Sequence, residues 1–133
     1  MTDDDPVAAF LAAGPFAVAG ASTNRDKYGN KVLRAYLQND LEVHPINPKA
    51  REVEGVRAVP DVQSLPDGIG ALSIVTPPAV TEAIVESAHE KGIRHLWMQP
   101  GAESQAAVER AQELGLEVIS GGPCLLVVLK YRE

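Results

Sequence analysis

The feature that most constrains this chain is an alternation of two kinds of segment. Apolar runs of strand length occur at Phe16–Ala19, Leu41–Ile46, Ala71–Val75, Ile93–Met98 and Leu116–Ile119. Helical patterns separate most of them. Val32, Leu33, Tyr36 and Leu37 share one face of a helix expected from about Gly29 to Asn39. Val80, Ala83, Ile84, Ser87 and Ala88 do the same for a helix that opens near Pro78 and stops at Gly92. A third helix, about Glu103 to Leu114, turns Ala107, Ala111 and Leu114 inward and ends at Gly115. Such alternation dictates parallel pairing, because parallel neighbours need a long crossover, and the crossover helix then covers the sheet. Right-handed crossovers give an α/β, Rossmann-like, doubly wound and mainly parallel sheet of about five or six strands, with helices on both faces.

The other segments fit around that frame. Asp5 can cap a short helix reaching Ala13, with Pro6 in its first turn. Between Ala50 and Asp67 the pattern is less regular, and a short strand around Val56–Val59 with a helical turn near Val62–Leu65 is expected. The apolar run Leu125–Leu129 predicts a last helix packed on the sheet. No linker or repeat is visible, and 133 residues suit a single domain, residues 1–133, with a core at about 14–126.

Charge limits the partners. A net charge of −6 argues against nucleic acid or an anionic membrane as the main one. No apolar stretch approaches the roughly 20 residues that cross a bilayer. The start, Met1-Thr2-Asp3-Asp4-Asp5, is acidic where a secretory signal is basic. The single cysteine, Cys124, excludes an internal disulfide and fits a reducing, cytoplasmic setting. An anionic small molecule stays open, because Arg25, Lys27, Lys31, Lys49 and Arg51 fall in two short stretches.

In sheets of this kind ligands bind beyond the carboxyl ends of the strands, near the reversal of strand order. The residues after the expected strands are Gly20-Ala21-Ser22, Asn47-Pro48-Lys49, Thr76-Pro77-Pro78, Gln99-Pro100-Gly101 and Gly121-Gly122-Pro123-Cys124. Gly20 permits the tight turn, but Ser22 and Arg25 stand where the second and third glycines of G-x-G-x-x-G would be. A hydroxyl, free backbone N–H groups and the start of the next helix suit a pyrophosphate, and Arg25 and Lys27 can meet its charge. An ordinary strand-to-helix turn with solvated charges would look the same. The second loop discriminates more. A dinucleotide reader of the NAD type places an acid about 20 residues past its glycines to grip the ribose hydroxyls. Here Asn47, Pro48 and Lys49 end the strand with Arg51 behind them, which favours a phosphate on the adenosine ribose, as NADP and coenzyme A carry.

Thr76, Pro77 and Pro78 offer an apolar wall with one hydroxyl, although Thr76 can equally cap a helix. Gln99 and Pro100 add an amide and an exposed backbone. His44, His89 and His95 are not spaced as metal ligands and read as structural or surface residues. Tyr28 and Trp97 read as packing residues, though Tyr28 lies in the ligand loop. Cys124 would stand at the start of the last helix, where a thiolate is favoured; a buried, inert thiol is the other reading. No catalytic pair and no metal site can be nominated.

The stretches "VAGAS", "KYGNKVLR", "VHPINPK", "SIVTPP", "WMQPGAE" and "GGPC", taken together and in order, resemble the small stand-alone CoA-binding domain proteins. Similar domains form the amino-terminal part of the succinyl-CoA synthetase alpha subunit and of the acyl-CoA synthetases that form ADP. The likeness runs from near residue 16 to about residue 126. It implies a Rossmann-type CoA-binding fold in which Gly20, Ala21 and Ser22 hold CoA phosphates and Lys49 lies on the 3′-phosphate side. Thr76 and Pro77 would border the pantetheine, and Met98, Gln99 and Pro100 would close the far wall, with Tyr28 and Asn47 also transferred. The synthetases carry their phosphohistidine in a second domain, and this chain ends before one could begin. The expectation is therefore a non-catalytic module for CoA or an acyl-CoA, such as a sensor, carrier or store. An NADP-dependent oxidoreductase domain and a redox protein modified at Cys124 are the alternatives; a homo-oligomer or a protein partner is left open.

Overall fold

Three helices end in the same way, and that ending sets where the strands begin. In the computed structural model, which describes residues 5–122 and 124–133, the chain runs α1 (Pro6–Leu11), β1 (Phe16–Ala19), α2 (Tyr28–Gln38), β2 (Val43–Ile46), β3 (Glu52–Val53) and β4 (Val56–Arg57). A 3-10 turn at Val62–Ser64 leads to β5 (Ala71–Ile74), α3 (Pro78–Lys91), β6 (His95–Met98), α4 (Gln105–Glu113), β7 (Glu117–Ile119) and α5 (Leu125–Val128). The acidic start up to Asp4 and Pro123 of the Gly-Gly-Pro-Cys turn lie outside the described residues.

After α3, Gly92 is left-handed (φ 91°) and donates to His89 O, while Ile93 N donates to Ala88 O. Gly115 and Leu116 repeat the pair of bonds after α4, onto Gln112 O and Ala111 O, and Asp40 (φ 57°) and Leu41 do so after α2, onto Leu37 O and Tyr36 O. This is the double-bonded left-handed stop whose following apolar residue packs back on the helix. Leu41, Ile93 and Leu116, expected as the first residues of strands, are instead those packing residues. Hence β2, β6 and β7 start later than the apolar runs.

The five main strands are all parallel, in the order β2-β1-β5-β6-β7, so the winding reverses between β1 and β5. Side chains alternate across the sheet as strand geometry requires. Ala17 and Ala19 of β1, Leu72 and Ile74 of β5, and Leu96 and Met98 of β6 face Val85 and Ala88 of α3 and Ala107 and Ala111 of α4. Phe16 and Val18 of β1 and Trp97 of β6 face Phe10 of α1, Val32, Leu33 and Tyr36 of α2, and Leu125 of α5. The aromatic residues gather on that second face: the Phe10 ring stands edge-on to Trp97, and Phe16 stacks on Tyr36. The Rossmann-like α/β sheet with helices on both faces is thus the observed architecture.

The expected sixth strand is smaller and lies elsewhere. Val56–Arg57 pairs antiparallel with Glu52–Val53 in a separate two-stranded hairpin, and Val59 only bridges to Ile46 at the edge of β2. Glu54 and Gly55, both at positive φ (51° and 79°), make the hairpin's two-residue turn. On the outer side of β2, Asn47 N donates to Val59 O and Val59 N to Pro45 O. Among the described residues no helix is long and apolar enough to cross a membrane.

Candidate site at the carboxyl edge of the sheet

Two glycines press the first loop between its neighbours. A Cβ on Gly20 (φ 91°) would lie 2.2 Å from Val75 O, and one on Gly29 would lie 2.0 Å from Gly20 O. The turn after β1 therefore needs Gly20 both for its backbone angle and for its contact with the β5 end. The close helix–strand approach that the third fingerprint glycine usually allows is provided by Gly29, inside the first turn of α2. Lys27 at the N-cap of α2 offers no side-chain acceptor to the first-turn N–H groups, so the positive end of the helix is left uncapped by a side chain.

Asn47 joins the first two loops. Its Nδ2 donates to Ala21 O at 2.9 Å, and its Oδ1 accepts from the backbone N–H groups of Lys49 and Ala50, both at 2.8 Å. The amide thus holds the β1 loop and turns the chain after β2 outward. Pro48 and Lys49 project to solvent.

Two adjoining cavities open along this edge. One, of about 410 Å³, is lined mainly by apolar groups, among them Gly20, Ile46, Pro48, Val62, Thr76 and Ile84. The other, of about 600 Å³, is lined by Asn47, Pro48, Lys49, Arg51, Glu52, Arg57 and neighbours. Pro48 and Pro60 border both. Three cations, Lys49, Arg51 and Arg57, line the second cavity against one carboxylate, Glu52. Arg57 lies opposite Glu52 in the β3–β4 register, yet none of these cations forms an ion pair among the described residues.

Arg25 is engaged differently. It forms an ion pair with Glu54 at the hairpin turn, and Glu54 also accepts from Asn30 Nδ2 at 3.0 Å. Asn30 Nδ2 reaches Ser22 O at 2.8 Å, and the buried Arg34 donates to Asn30 Oδ1 and to Arg25 O, both at 2.7 Å. The bond from Asn30, with Arg25 and Arg34 adding their charge, holds the Glu54 carboxyl below its ordinary value near 4.5. This network was not foreseen. It straps residues 22–30 to the hairpin.

The far wall is deeper than expected. Met98 is 1% exposed and belongs to the core under α3 and α4; Gln99 is fully buried, and only Pro100 of the three is exposed. Gln99 Oε1 accepts from Leu125 N at 2.9 Å and from the Tyr28 hydroxyl at 3.2 Å. The Tyr28 oxygen in turn lies 2.6 Å from Cys124 Sγ. Burial, then its contact with Cys124, pushes the Tyr28 hydroxyl well above its ordinary range, so it stays protonated. Gln99 Nε2 is buried and has no partner among the described residues, a donor left at a cost of about 1–3 kcal/mol. Cys124 is partly buried. Thr76 Oγ1 bonds Thr81 Oγ1 at 2.7 Å in the first turns of α3, and Pro77 stands exposed at its N-cap. Among the described residues no cluster of three or more His, Cys, Asp or Glu could hold a metal ion.

A family model described as a CoA binding domain matches residues 15–130. A conserved hypothetical protein from Pyrococcus furiosus is similar in structure, with a TM-score of 0.81 and 37% identity, covering 85% of this chain and 97% of that one. The ADP-forming acetate–CoA ligase I of Archaeoglobus fulgidus is 28% identical over 96 residues, 72% of this chain and 14% of the ligase. The dinucleotide-forming acetyl-coenzyme A synthetase 1 of Ca. Korarchaeum cryptofilum, solved with phosphate and ADP, has a TM-score of 0.73 at 27% identity. That likeness covers 82% of this chain and 26% of the synthetase. The chain thus spans about a seventh and a quarter of these two enzymes, on the coverage of 14% and 26%.

Proposed function

Since the chain belongs to the CoA-binding domain family, we propose that it binds coenzyme A or an acyl-CoA along the carboxyl edge of its sheet, as a binding module. The observation that carries this reading is the pair of adjoining cavities, one apolar and one lined by three cations that have no ion-pair partner among the described residues, divided by Pro48 and Pro60. A ligand that suits both has an uncharged body and a separate anionic group. Coenzyme A has that form: its ribose 3′-phosphate meets Lys49, Arg51 and Arg57, and its uncharged parts lie against Ile46, Pro48, Val62 and Thr76. The pyrophosphate falls between them, at Gly20, Ala21 and Ser22 and the uncapped start of α2, where backbone N–H groups and the helix dipole favour negative charge.

Calorimetric titration with CoA and with 3′-dephospho-CoA tests the reading. CoA should bind tighter, and Lys49→Ala should remove about 1–3 kcal/mol of CoA affinity while leaving dephospho-CoA little changed. Equal affinities for the two ligands would overturn the role of the basic cavity. Tighter binding of NADPH than of CoA would replace the ligand with a nicotinamide nucleotide.

A further inference from the structure

Resting on the reading that an acyl-CoA lies along this edge, we propose that Cys124 is an acyl-acceptor site. Its thiol takes the acyl group from the bound thioester, while the Gln99 amide N–H meets the carbonyl oxygen and the Tyr28 hydroxyl holds thiol and amide together.

The cysteine alone would not support this; the unpartnered amide beside it does. Leu125 N–H fixes Gln99 Oε1 at 2.9 Å, which settles the orientation of the carboxamide and leaves Nε2 as its free end. The same oxygen touches Tyr28, whose hydroxyl touches Cys124 Sγ, so donor, hydroxyl and thiol form one cluster. A buried N–H without an acceptor calls for one that arrives with a ligand. A disulfide brings only weakly accepting sulfur. A thioester brings a carbonyl oxygen, and with it the electrophilic carbon that a thiolate attacks. Tyr28 donates its one proton to Gln99 Oε1, which leaves its oxygen to accept from the Cys124 thiol and so ties the thiol to the amide.

The reach is adequate. Tyr28 directly precedes Gly29, which rests on the Gly20 carbonyl, and Gly20 lines the apolar cavity. Gln99 follows β6, two strands from β1 across β5, a span of about 10 Å at the usual strand spacing and within reach of an extended pantetheine arm. The step needs no oxidant. Cys124 gives up its proton, a bond forms from Sγ to the acyl carbon, and the bond from that carbon to the pantetheine sulfur breaks. The departing thiolate takes up a proton, so one thioester replaces another.

The full-length chain is incubated with acetyl-CoA and, separately, with S-acetyl-N-acetylcysteamine, a thioester that lacks the nucleotide. Adducts are followed by intact mass and peptide mapping, and CoA binding is measured by calorimetry. The expected result is one acetyl group on Cys124, formed roughly ten-fold or more faster from acetyl-CoA, as proximity requires. It should be absent in Cys124→Ser and in Cys124→Ala, and slowed several-fold in Tyr28→Phe at saturating acetyl-CoA. Binding of CoA with no adduct would overturn this inference and leave the CoA reading intact. Equal rates from the two thioesters would mark Cys124 as an ordinary surface thiol and overturn it as well. Absence of calorimetric CoA binding would remove both.

Discussion

Asn47 at the end of β2 donates to Ala21 O in the loop after β1, while its other amide atom accepts two backbone N–H groups of its own loop. One side chain therefore sets the spacing of the two loops assigned to the nucleotide. Asn47→Ala should cost about 1–3 kcal/mol of stability, since three bonds that each contribute about 0.5–1.5 kcal/mol are partly replaced by water. Chemical denaturation checks this. Asn47→Asp is the sharper variant: it retains the acceptor but sets a carboxylate against Ala21 O and beside the basic cavity. It should weaken CoA more than 3′-dephospho-CoA in parallel titrations.

Arg57 was not among the residues singled out from sequence, yet it lines the basic cavity with Lys49 and Arg51. Arg57→Ala should lower CoA affinity by about 1–3 kcal/mol if it makes a charge-assisted bond to the phosphate. The loss should shrink as salt rises, because the cavity is open and exposed charges are screened over about 10 Å at 0.1 M. Isothermal titration at several salt concentrations reads both effects. A salt-independent loss would point to packing by the arginine stem instead.

Gly29→Ala tests the contact between α2 and the first loop. The added Cβ would fall 2.0 Å from Gly20 O, and Gly20 cannot draw back freely because its own Cβ position already lies 2.2 Å from Val75 O. Alanine normally favours a helix over glycine by about 1 kcal/mol, so stabilisation would be the outcome of a free site. Overpacking, at about 1–3 kcal/mol or more, should win here. Thermal unfolding of the variant should show a lowered midpoint.

Glu54 gives a pH dependence with a definite sign. Its carboxyl is held below the ordinary value near 4.5, first by the Asn30 bond and then by Arg25. A depressed folded-state pKa contributes stability that is fully present above the unfolded value and lost as pH falls through the folded one. The wild type should therefore melt above Glu54→Gln near neutral pH. The gap should close as pH drops below about 4.5, the ordinary value of this group. A gap constant from neutral to acid pH would show that charge at Glu54 contributes nothing.

The architecture was legible because strand and helix periods differ and both recur along the chain. β1 matches its apolar run, and α3 was placed from Pro78 and Gly92. What local pattern could not show was a two-residue strand: Glu52–Val53 has no periodicity of its own and exists only by pairing with Val56–Arg57. With that hairpin went Glu54, and so the ion pair that engages Arg25. The placing of Met98 in the core could have been read, since Leu96 and Met98 share a parity that Trp97 does not. The cluster of Tyr28, Gln99 and Cys124 could not, because it joins residues from three distant parts of the chain. The family likeness selected Tyr28 and Gln99 without giving their geometry.

Pro45 lies inside β2, the outermost strand on one side of the sheet. It has no N–H to offer a newcomer, and its carbonyl is already taken by Val59. A bare strand margin is a template on which a second molecule can add its own strand and seed an aggregate. This margin is blunted by a ring and by a returning segment, so continuing the sheet into a neighbour at β2 would first require peeling Val59 away.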